Sequence, residues 1–147
     1  MKFFTIEWWS SGCEDDSVFD KYQEYLSSVS TKLPKQLLLI QQEFTLHDAN
    51  VKEIRSDYVN RIVTIILRGW DREFKEKIKY TLRFLGVEQF NQILPQDEYV
   101  ESELGDLGYW EYEVLDMAVQ MRMLFASGAE FEINFNEFEF THDAVKA

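Results

Sequence analysis

The sequence predicts an α+β fold in which two N-terminal helices pack on an antiparallel sheet of about five to six strands, within a single domain over residues 1–147. Three features predict it. Before residue 45, apolar side chains recur every three or four positions, as on one face of a helix. Beyond residue 50, apolar and polar side chains alternate, as in strands with one buried face. The apolar content of 46% is enough for a full hydrophobic core at this length.

The two helices are predicted from their apolar stripes. The first helix begins near Ser17, and its stripe consists of Phe19, Tyr22, Leu26 and Val29. The second helix has Pro34 in its first turn, where the missing N–H costs nothing. Its stripe consists of Leu33, Leu37, Ile40 and Phe44, so we expect it to end near Thr45.

The strands are predicted from alternation and from β-branched content. The clearest ones cover residues 58–68, 77–84, 110–114, 119–125 and 131–135. The first two form a hairpin, and Ser127-Gly128 provides the turn between the last two. At residues 136–138 the alternation slips by one position before Phe140, which predicts a β-bulge that bends and curves the sheet. The segment from Asn91 to Gly108 is predicted to be a long loop.

The net charge is −12, and almost all of it lies in the last third of the chain. Residues 96–147 hold 13 acidic against 2 basic side chains, a net of −11, whereas residues 1–95 hold 14 against 13. Such a field repels phosphates, so we expect neither nucleic acid nor a membrane surface as a partner. The charge permits a basic protein as a partner. The favoured interpretation is a solvated acidic face, partly matched across strands by Lys77, Lys79 and Arg83.

We expect a cytoplasmic protein without a cofactor. The N-terminus has no apolar stretch long enough for a signal peptide, and no apolar run approaches the ~18 residues of a membrane-spanning helix. The single cysteine, Cys13, cannot form an internal disulfide, which agrees with a reducing compartment. Its acidic neighbours disfavour the thiolate that a catalytic cysteine needs.

Two pairs of polar residues are candidates for chemistry. His47 beside Asp48 has the composition of a base with its orienting carboxylate, or of two metal ligands. Adjacent residues rarely face each other, so we interpret the pair as a structural turn after the second helix. Glu111 and Glu113 are interpreted as a solvated, ion-paired face rather than as the acid pair of a glycosidase. His142 is distant from His47 in the sequence, so we predict no metal site and no catalytic residue.

Two further features are candidates for binding. Trp8 and Trp9 belong to a dense aromatic group at the N-terminus, which we interpret as core, with an exposed protein-binding anchor as the alternative. The long loop is acidic, and loops of this length are frequently functional. The candidate binding residues are Trp8, Trp9, His47, Asp48, Asp97, Glu98, Glu101, Glu103 and Asp106.

Three segments carry a resemblance to known proteins. They are the opening MKFFTIEWW, the segment TLHDA at residues 45–49, and LGDLGY at residues 104–109. Through them nearly the whole chain resembles an uncharacterised bacterial family classified only as a domain of unknown function. The resemblance implies this order of helices and a β-rich C-terminal half, but no catalytic residue or ligand. By fold class and charge, the chain also resembles small acidic immunity proteins that neutralise bacterial toxins.

The leading hypothesis is a non-enzymatic module that binds another protein, in a toxin-neutralising or regulatory role, through its acidic C-terminal third. The alternative is a small-ligand-binding or enzymatic domain in which helices and sheet enclose an aromatic-lined pocket. A pocket in which aromatic rings surround one or two polar groups, His47 in particular, would favour the alternative. A third hypothesis is a structural subunit, which an exposed Trp8–Trp9 patch would favour. The oligomeric state is not predicted.

Overall fold

A computed structural model describes residues 1–94 and 104–145 of the chain. As predicted, the fold is α+β, with the helices N-terminal to an antiparallel β-structure. The helices of the described part are α1 (Ile6–Ser10), α2 (Ser17–Val29) and α3 (Lys35–Glu43), with a 3₁₀ turn at Ser30–Lys32. The strands are β1 (Asn50–Asp57), β2 (Ile62–Trp70), β3 (Lys77–Leu85), β4 (Gln89–Ile93), β5 (Leu107–Val114), β6 (Val119–Phe125), β7 (Glu130–Phe135) and β8 (Glu137–Ala144).

The strands form two sheets of four, so the prediction of one sheet of five to six strands is wrong. The first sheet has the order β1-β2-β3-β8 and the second has the order β4-β7-β6-β5, with every pairing antiparallel. Alternation within each strand is read correctly from the sequence. The assignment of strands to sheets depends on pairings between distant segments, which periodicity does not report.

The slip in alternation after residue 135 marks the passage of the chain between the sheets. β7 ends at Phe135, Asn136 donates its backbone N–H to the Leu85 carbonyl (2.9 Å), and β8 begins at the next residue. Phe135 and Phe138 both point into the core, where each packs against Phe84 at ring-centroid distances of 5.0 and 5.2 Å. The predicted bend is present, but it is a crossing between two sheets rather than a bulge inside one.

Three elements were not predicted. β1 has few apolar residues, is mostly exposed, and contains a bulge between Val51 and Glu53, so it lacks a clean alternation. β4 and the start of β5 occupy both ends of the segment interpreted as a loop. α1 is a single turn, capped by the Thr5 hydroxyl, which accepts the backbone N–H of Trp8 (3.1 Å). Elements this short give little periodic signal.

One cluster of buried apolar side chains joins both sheets and the helices. α2 covers the outer edge of β5, where the hydroxyls of Tyr22 and Tyr25 accept the backbone N–H groups of Tyr112 (2.8 Å) and Val114 (2.9 Å). These bonds satisfy strand donors that would otherwise be buried without partners. None of the helices in the described residues is long and apolar enough to cross a membrane.

Candidate ligand-binding cleft

Three segments that are distant in the sequence meet at the start of β5. The segment after α3 docks there: Asp48 donates its backbone N–H to the Leu107 carbonyl (2.9 Å), and Leu107 donates to the Ala49 carbonyl (2.8 Å). The N-terminal residues Phe4 and Trp9 pack against Tyr109 at the same place. The N-terminal segment, residues 45–49 and the start of β5 thus come together in space.

Gly108 allows the three segments to pack closely at the start of β5. It lies at the bulge of β5, between Leu107 and Tyr109. Its carbonyl is 2.8 Å from His47 Nδ1, and because a carbonyl only accepts, this nitrogen carries the proton. The six-membered ring of Trp9 lies so close to Gly108 that a Cβ atom there would overlap it. The absence of a side chain therefore lets an aromatic ring and an imidazole approach the same peptide.

A cleft of about 200 Å³ opens beside this junction, between the helices and β5. Phe4, Phe19, Tyr22, Tyr109 and Trp110 supply its aromatic wall, and Gln23, Gln41, His47 and Gly108 supply its polar groups. We call this the aromatic cleft. Among the described residues that line it, none is Asp, Glu, Lys or Arg.

Two buried polar atoms on residues of the aromatic cleft have no hydrogen-bond partner within the described parts of the chain. They are Trp110 Nε1, which can only donate, and Gln41 Oε1, which can only accept. A buried polar group without a partner costs about 1–3 kcal/mol, so native proteins keep few of them. Solvent reaches neither atom, and the buried Tyr112 hydroxyl lies beside Trp110, so both atoms lie behind the wall of the cleft and not on its surface.

The tyrosines of the cleft act as neutral groups. Burial raises the pKa of Tyr109 to about 12, and its contact with the Cys13 sulfur (3.5 Å) acts in the same direction. Burial also raises the pKa of Tyr22 far above its ordinary value. Both phenols stay protonated near neutral pH, so they add polarity but no charge to the cleft.

Of the four non-glycine residues with positive φ in the described parts of the chain, all but Arg61 lie around the same junction. Cys13, Asp48 and Phe74 have φ values of 58°, 64° and 58°, a region that residues other than glycine rarely adopt. Cys13 contacts Tyr109, Asp48 adjoins His47, and the Phe74 ring lies 6.2 Å from the His47 ring. Each such residue costs of order 1–3 kcal/mol, and residues of this kind cluster at functional sites.

The predicted site residues other than His47 and Asp48 fall into three groups. Trp8 is buried, as the favoured interpretation expects, and its indole N–H donates to the Asp15 carbonyl (2.8 Å). Trp9 is half-buried against Gly108, and Asp106 is exposed, with its carboxylate accepting from the Asn50 amide. Asp97, Glu98, Glu101 and Glu103 lie outside the described residues.

His47 and Asp48 form a turn after α3, as the sequence predicts, and the turn is closed by the Ala49 backbone N–H, which donates to the Leu46 carbonyl (3.1 Å). α3 ends at Glu43, four residues earlier, and His47 turns toward β5 rather than toward the helix. The positive φ of Asp48 folds its carboxylate back to 3.5 Å from His47 Nε2, so the two neighbours face each other after all. Adjacent side chains in a regular element point away from each other. Here they face each other because Asp48 adopts the left-handed conformation.

The prediction that Glu111 lies on a solvated face is wrong. Glu111 is fully buried and pairs with Arg122 across the β5–β6 ladder (3.4 Å). Its carboxylate also accepts the backbone N–H groups of Lys2 (2.8 Å) and Phe3 (3.0 Å), because the N-terminal segment lies over this face. Glu111, Glu113, Arg122 and Lys2 form what we call the charged cluster.

Glu113 is the more exposed carboxylate of the charged cluster. Burial alone would raise its pKa, but hydrogen bonds from Arg122 and Lys2 hold the pKa of this carboxyl below its ordinary value of 4.5. Arg122 Nε keeps no partner among the described residues. Because hydrogen bonds from fixed partners hold the Glu113 carboxyl ionised, and Glu111 is hydrogen-bonded by Arg122 and two backbone N–H groups, the cluster has the form of a structural ion network rather than of an acid–base pair.

Within residues 1–94 and 104–145, no three His, Cys, Asp or Glu side chains are grouped so that they could hold a metal ion. His142 packs against Phe44 (ring centroids 4.4 Å). In comparisons with known proteins, no family model, curated protein or solved structure matches the chain.

Sequence reasoning did not single out Gln41, Tyr109 and Trp110 as site residues. A signal existed for Gln41: it lies four residues after Leu37, on the buried side of α3, where a polar residue needs an explanation. For Trp110 the alternation predicts burial but does not report whether the indole N–H has a partner.

Proposed function

We propose that this chain is a binding protein without catalytic activity of its own, and that its ligand is a small molecule held in the aromatic cleft. The observation that carries the proposal is the cleft itself, in which five aromatic rings surround the polar groups of Gln23, Gln41 and His47. Ligand sites in proteins combine a mostly apolar wall with a few convergent polar groups.

The chemistry of the cleft supports binding over catalysis. A general base or nucleophile works with a second group that orients or activates it. The Gly108 carbonyl orients His47 through Nδ1, but no Ser, Thr, Cys or Lys is among the described residues of the cleft for the imidazole to activate. Cys13, the one thiol of the chain, contacts a phenol whose pKa is itself raised to about 12.

Larger concavities support the proposal less well. The largest described one, of about 740 Å³, is a groove between α2 and α3 lined mainly by polar and exposed residues such as Ser27, Gln42 and Arg72. It adjoins the aromatic cleft and shares Gln23 and Gln41 with it. Its polar lining gives a ligand little apolar surface to bury.

The test is a fragment screen read by protein NMR. The chain has four tryptophans, and each gives one indole N–H signal that a Trp→Phe variant assigns. We expect single-ring fragments to shift the signal of Trp110. Trp70 serves as the internal control, because the alternation of β2 places it on the outer face of the first sheet, beside Lys77. If no fragment at millimolar concentration shifts Trp110, or if all four signals shift alike, the proposal is wrong.

Binding of a basic protein stays a second proposal, supported by the net charge of −12. In the described residues, part of the C-terminal acid is matched internally: Glu111 and Glu113 pair with Arg122, and Glu139 pairs with Arg83. Asp116, Glu137 and Asp143 remain exposed. A complex formed through such charges weakens steeply with salt, whereas binding in the aromatic cleft does not.

A further inference from the structure

The two sheets have four edge strands, and these edges differ in how they are protected from pairing with another chain. The edges are β1 and β8 in the first sheet and β4 and β5 in the second sheet. An edge strand presents backbone N–H and C=O groups without partners, and native proteins block such edges with charges, bulges, prolines or covering elements. An edge that lacks these devices is therefore a candidate interface.

Three of the four edges are protected. β1 contains a bulge and four charged side chains, which are Lys52, Glu53, Arg55 and Asp57. On β8, the Phe140 backbone N–H donates to the side-chain oxygen of Gln36 on α3 (2.6 Å). On β5, the hydroxyls of Tyr22 and Tyr25 on α2 accept backbone N–H groups of the outer edge. Each of these edges is closed to a further strand.

β4 has none of these devices among the described residues. Gln89–Ile93 contain no charged side chain, although 29% of the chain is charged. In the described residues its pairing with β7 is regular, and no strand pairs with its other side. Ile93 and Leu94, at the end of the strand, are 41% and 70% exposed. β4 is therefore the unprotected edge of the described sheets.

A concavity of about 300 Å³ lies beside this edge, between β4 and the turn that joins β1 to β2. Its lining comes from both sheets and includes Tyr58, Ile62, Val63 and Phe90. Successive side chains of a strand point to opposite faces. A strand added to β4 thus places alternate side chains over the concavity, which gives them apolar surface to bury.

The chemistry of β4 fits a second copy of this chain. Two identical strands related by a two-fold axis at Asn91 pair antiparallel, so that Gln89 of one copy faces Ile93 of the other. The Asn91 amide donates one hydrogen to Glu132 (3.5 Å) and keeps a second donor and its oxygen for its counterpart. Because β4 is uncharged, the pairing brings no like charges together along the strand in a chain of net charge −12.

We infer that two copies of this chain associate through β4, which pairs antiparallel with its counterpart and joins the two four-stranded sheets into one continuous sheet. A contact of five residues from each copy is small, so the dimer is weak, with a dissociation constant on the order of 100 μM. The aromatic cleft lies at β5, the opposite edge of the same sheet, so the inference does not depend on the proposed function.

Sedimentation of the full chain at concentrations from about 10 μM to about 1 mM tests the inference, since this range brackets the expected dissociation constant. We expect the average mass to rise from that of a 17.6 kDa monomer toward twice this value. The two copies are acidic and repel each other, so the dimer should tighten when the ionic strength rises from about 0.01 M to about 0.1 M. A complex with a basic protein weakens under the same change.

Substitutions locate the contact. Gln89→Lys together with Ile93→Lys should weaken the dimer at least about tenfold, because like charges then face each other at both ends of the paired strands. Mixing this chain with one that carries Gln89→Glu and Ile93→Glu should restore association as a mixed dimer. The matched control is Thr31→Lys with Thr141→Lys, which adds the same charge at exposed positions outside β4 and should leave the dissociation constant within about twofold. A two-dimensional NMR spectrum verifies that each variant is folded.

Three outcomes would overturn the inference. A chain that stays monomeric at about 1 mM leaves the edge of β4 to a strand of another protein. A dimer that is unchanged by Gln89→Lys with Ile93→Lys, or weakened equally by the control, forms through another surface. Folded lysine and glutamate variants that fail to associate when mixed would show that the strands do not face each other.

Discussion

The charged cluster and the aromatic cleft both include residues of β5, yet they differ in whether their buried polar atoms have hydrogen-bond partners. In the charged cluster, the Glu111 carboxylate has three donors around it: the guanidinium of Arg122 and the backbone N–H groups of Lys2 and Phe3. In the aromatic cleft, Trp110 Nε1 and Gln41 Oε1 have no partner among the described residues. The first region stabilises the fold, and the second gives up stability at the place where we propose that a ligand binds.

The largest expected effect lies in the charged cluster. Glu111→Gln leaves Arg122 buried with only Glu113 as an ionic partner, so we expect the free energy of unfolding to fall by about 3 kcal/mol in urea denaturation. Glu139→Gln is the control, because its pair with Arg83 (3.4 Å) is exposed and such pairs contribute about 0.2–1 kcal/mol. Equal losses in the two variants would mean that the buried cluster stabilises the fold no more than a surface pair.

A smaller effect of opposite sign is expected in the aromatic cleft. Gln41→Met removes a buried oxygen that has no partner, and Met forms helices about as well as Gln, so we expect the free energy of unfolding to rise by about 1 kcal/mol. The measurement is urea denaturation without ligand, with Gln42→Met as a control that should stay within about 0.5 kcal/mol of the original chain. A loss of stability in Gln41→Met would assign a structural role to Gln41 and remove the contrast between the two regions.

The smallest effect concerns the pH dependence of the charged cluster. The pKa of Glu113 in the folded chain is below its ordinary value of 4.5, so the unfolded chain takes up this proton first as the pH falls. The stability that Glu113 contributes is therefore full above about pH 4.5 and is lost as the pH falls through the lower pKa of the folded state. Urea denaturation of the original chain and of Glu113→Gln should give a difference that shrinks below pH 4.5. A difference that stays constant down to pH 3 would contradict the ionic role of Glu113.

The sequence predicts those elements whose own pattern is strong. The stripe Phe19, Tyr22, Leu26 and Val29 places α2, and the alternation in residues 77–84 places β3. Local patterns do not predict β1, because it is a polar edge strand. They also do not predict the number of sheets. Sheet assignment depends on pairs such as Leu82 with Phe140, which are distant in the sequence.

The candidate site is predictable only in part, for a related reason. The density of aromatic residues and the pair His47–Asp48 are visible in the sequence, and both lie at or beside the aromatic cleft. The aromatic residues and His47 come together at Gly108 because β5 has a bulge there and because the Trp9 ring covers this glycine. Neither feature is visible in the sequence. That Glu111 is buried depends on where the N-terminal segment lies, which no spacing within β5 encodes.

The crossing of the chain at Asn136 has a consequence for the order of folding. β8 follows the second sheet in the chain but completes the first, where Ile78 pairs with Ala144 and Leu85 with Glu137. Contacts between such distant segments form slowly, because a long loop must close first. During synthesis, β3 leaves the ribosome well before its neighbour β8 and presents an unpaired edge that other chains can join. That edge of β3 stays open until β8 has been synthesised.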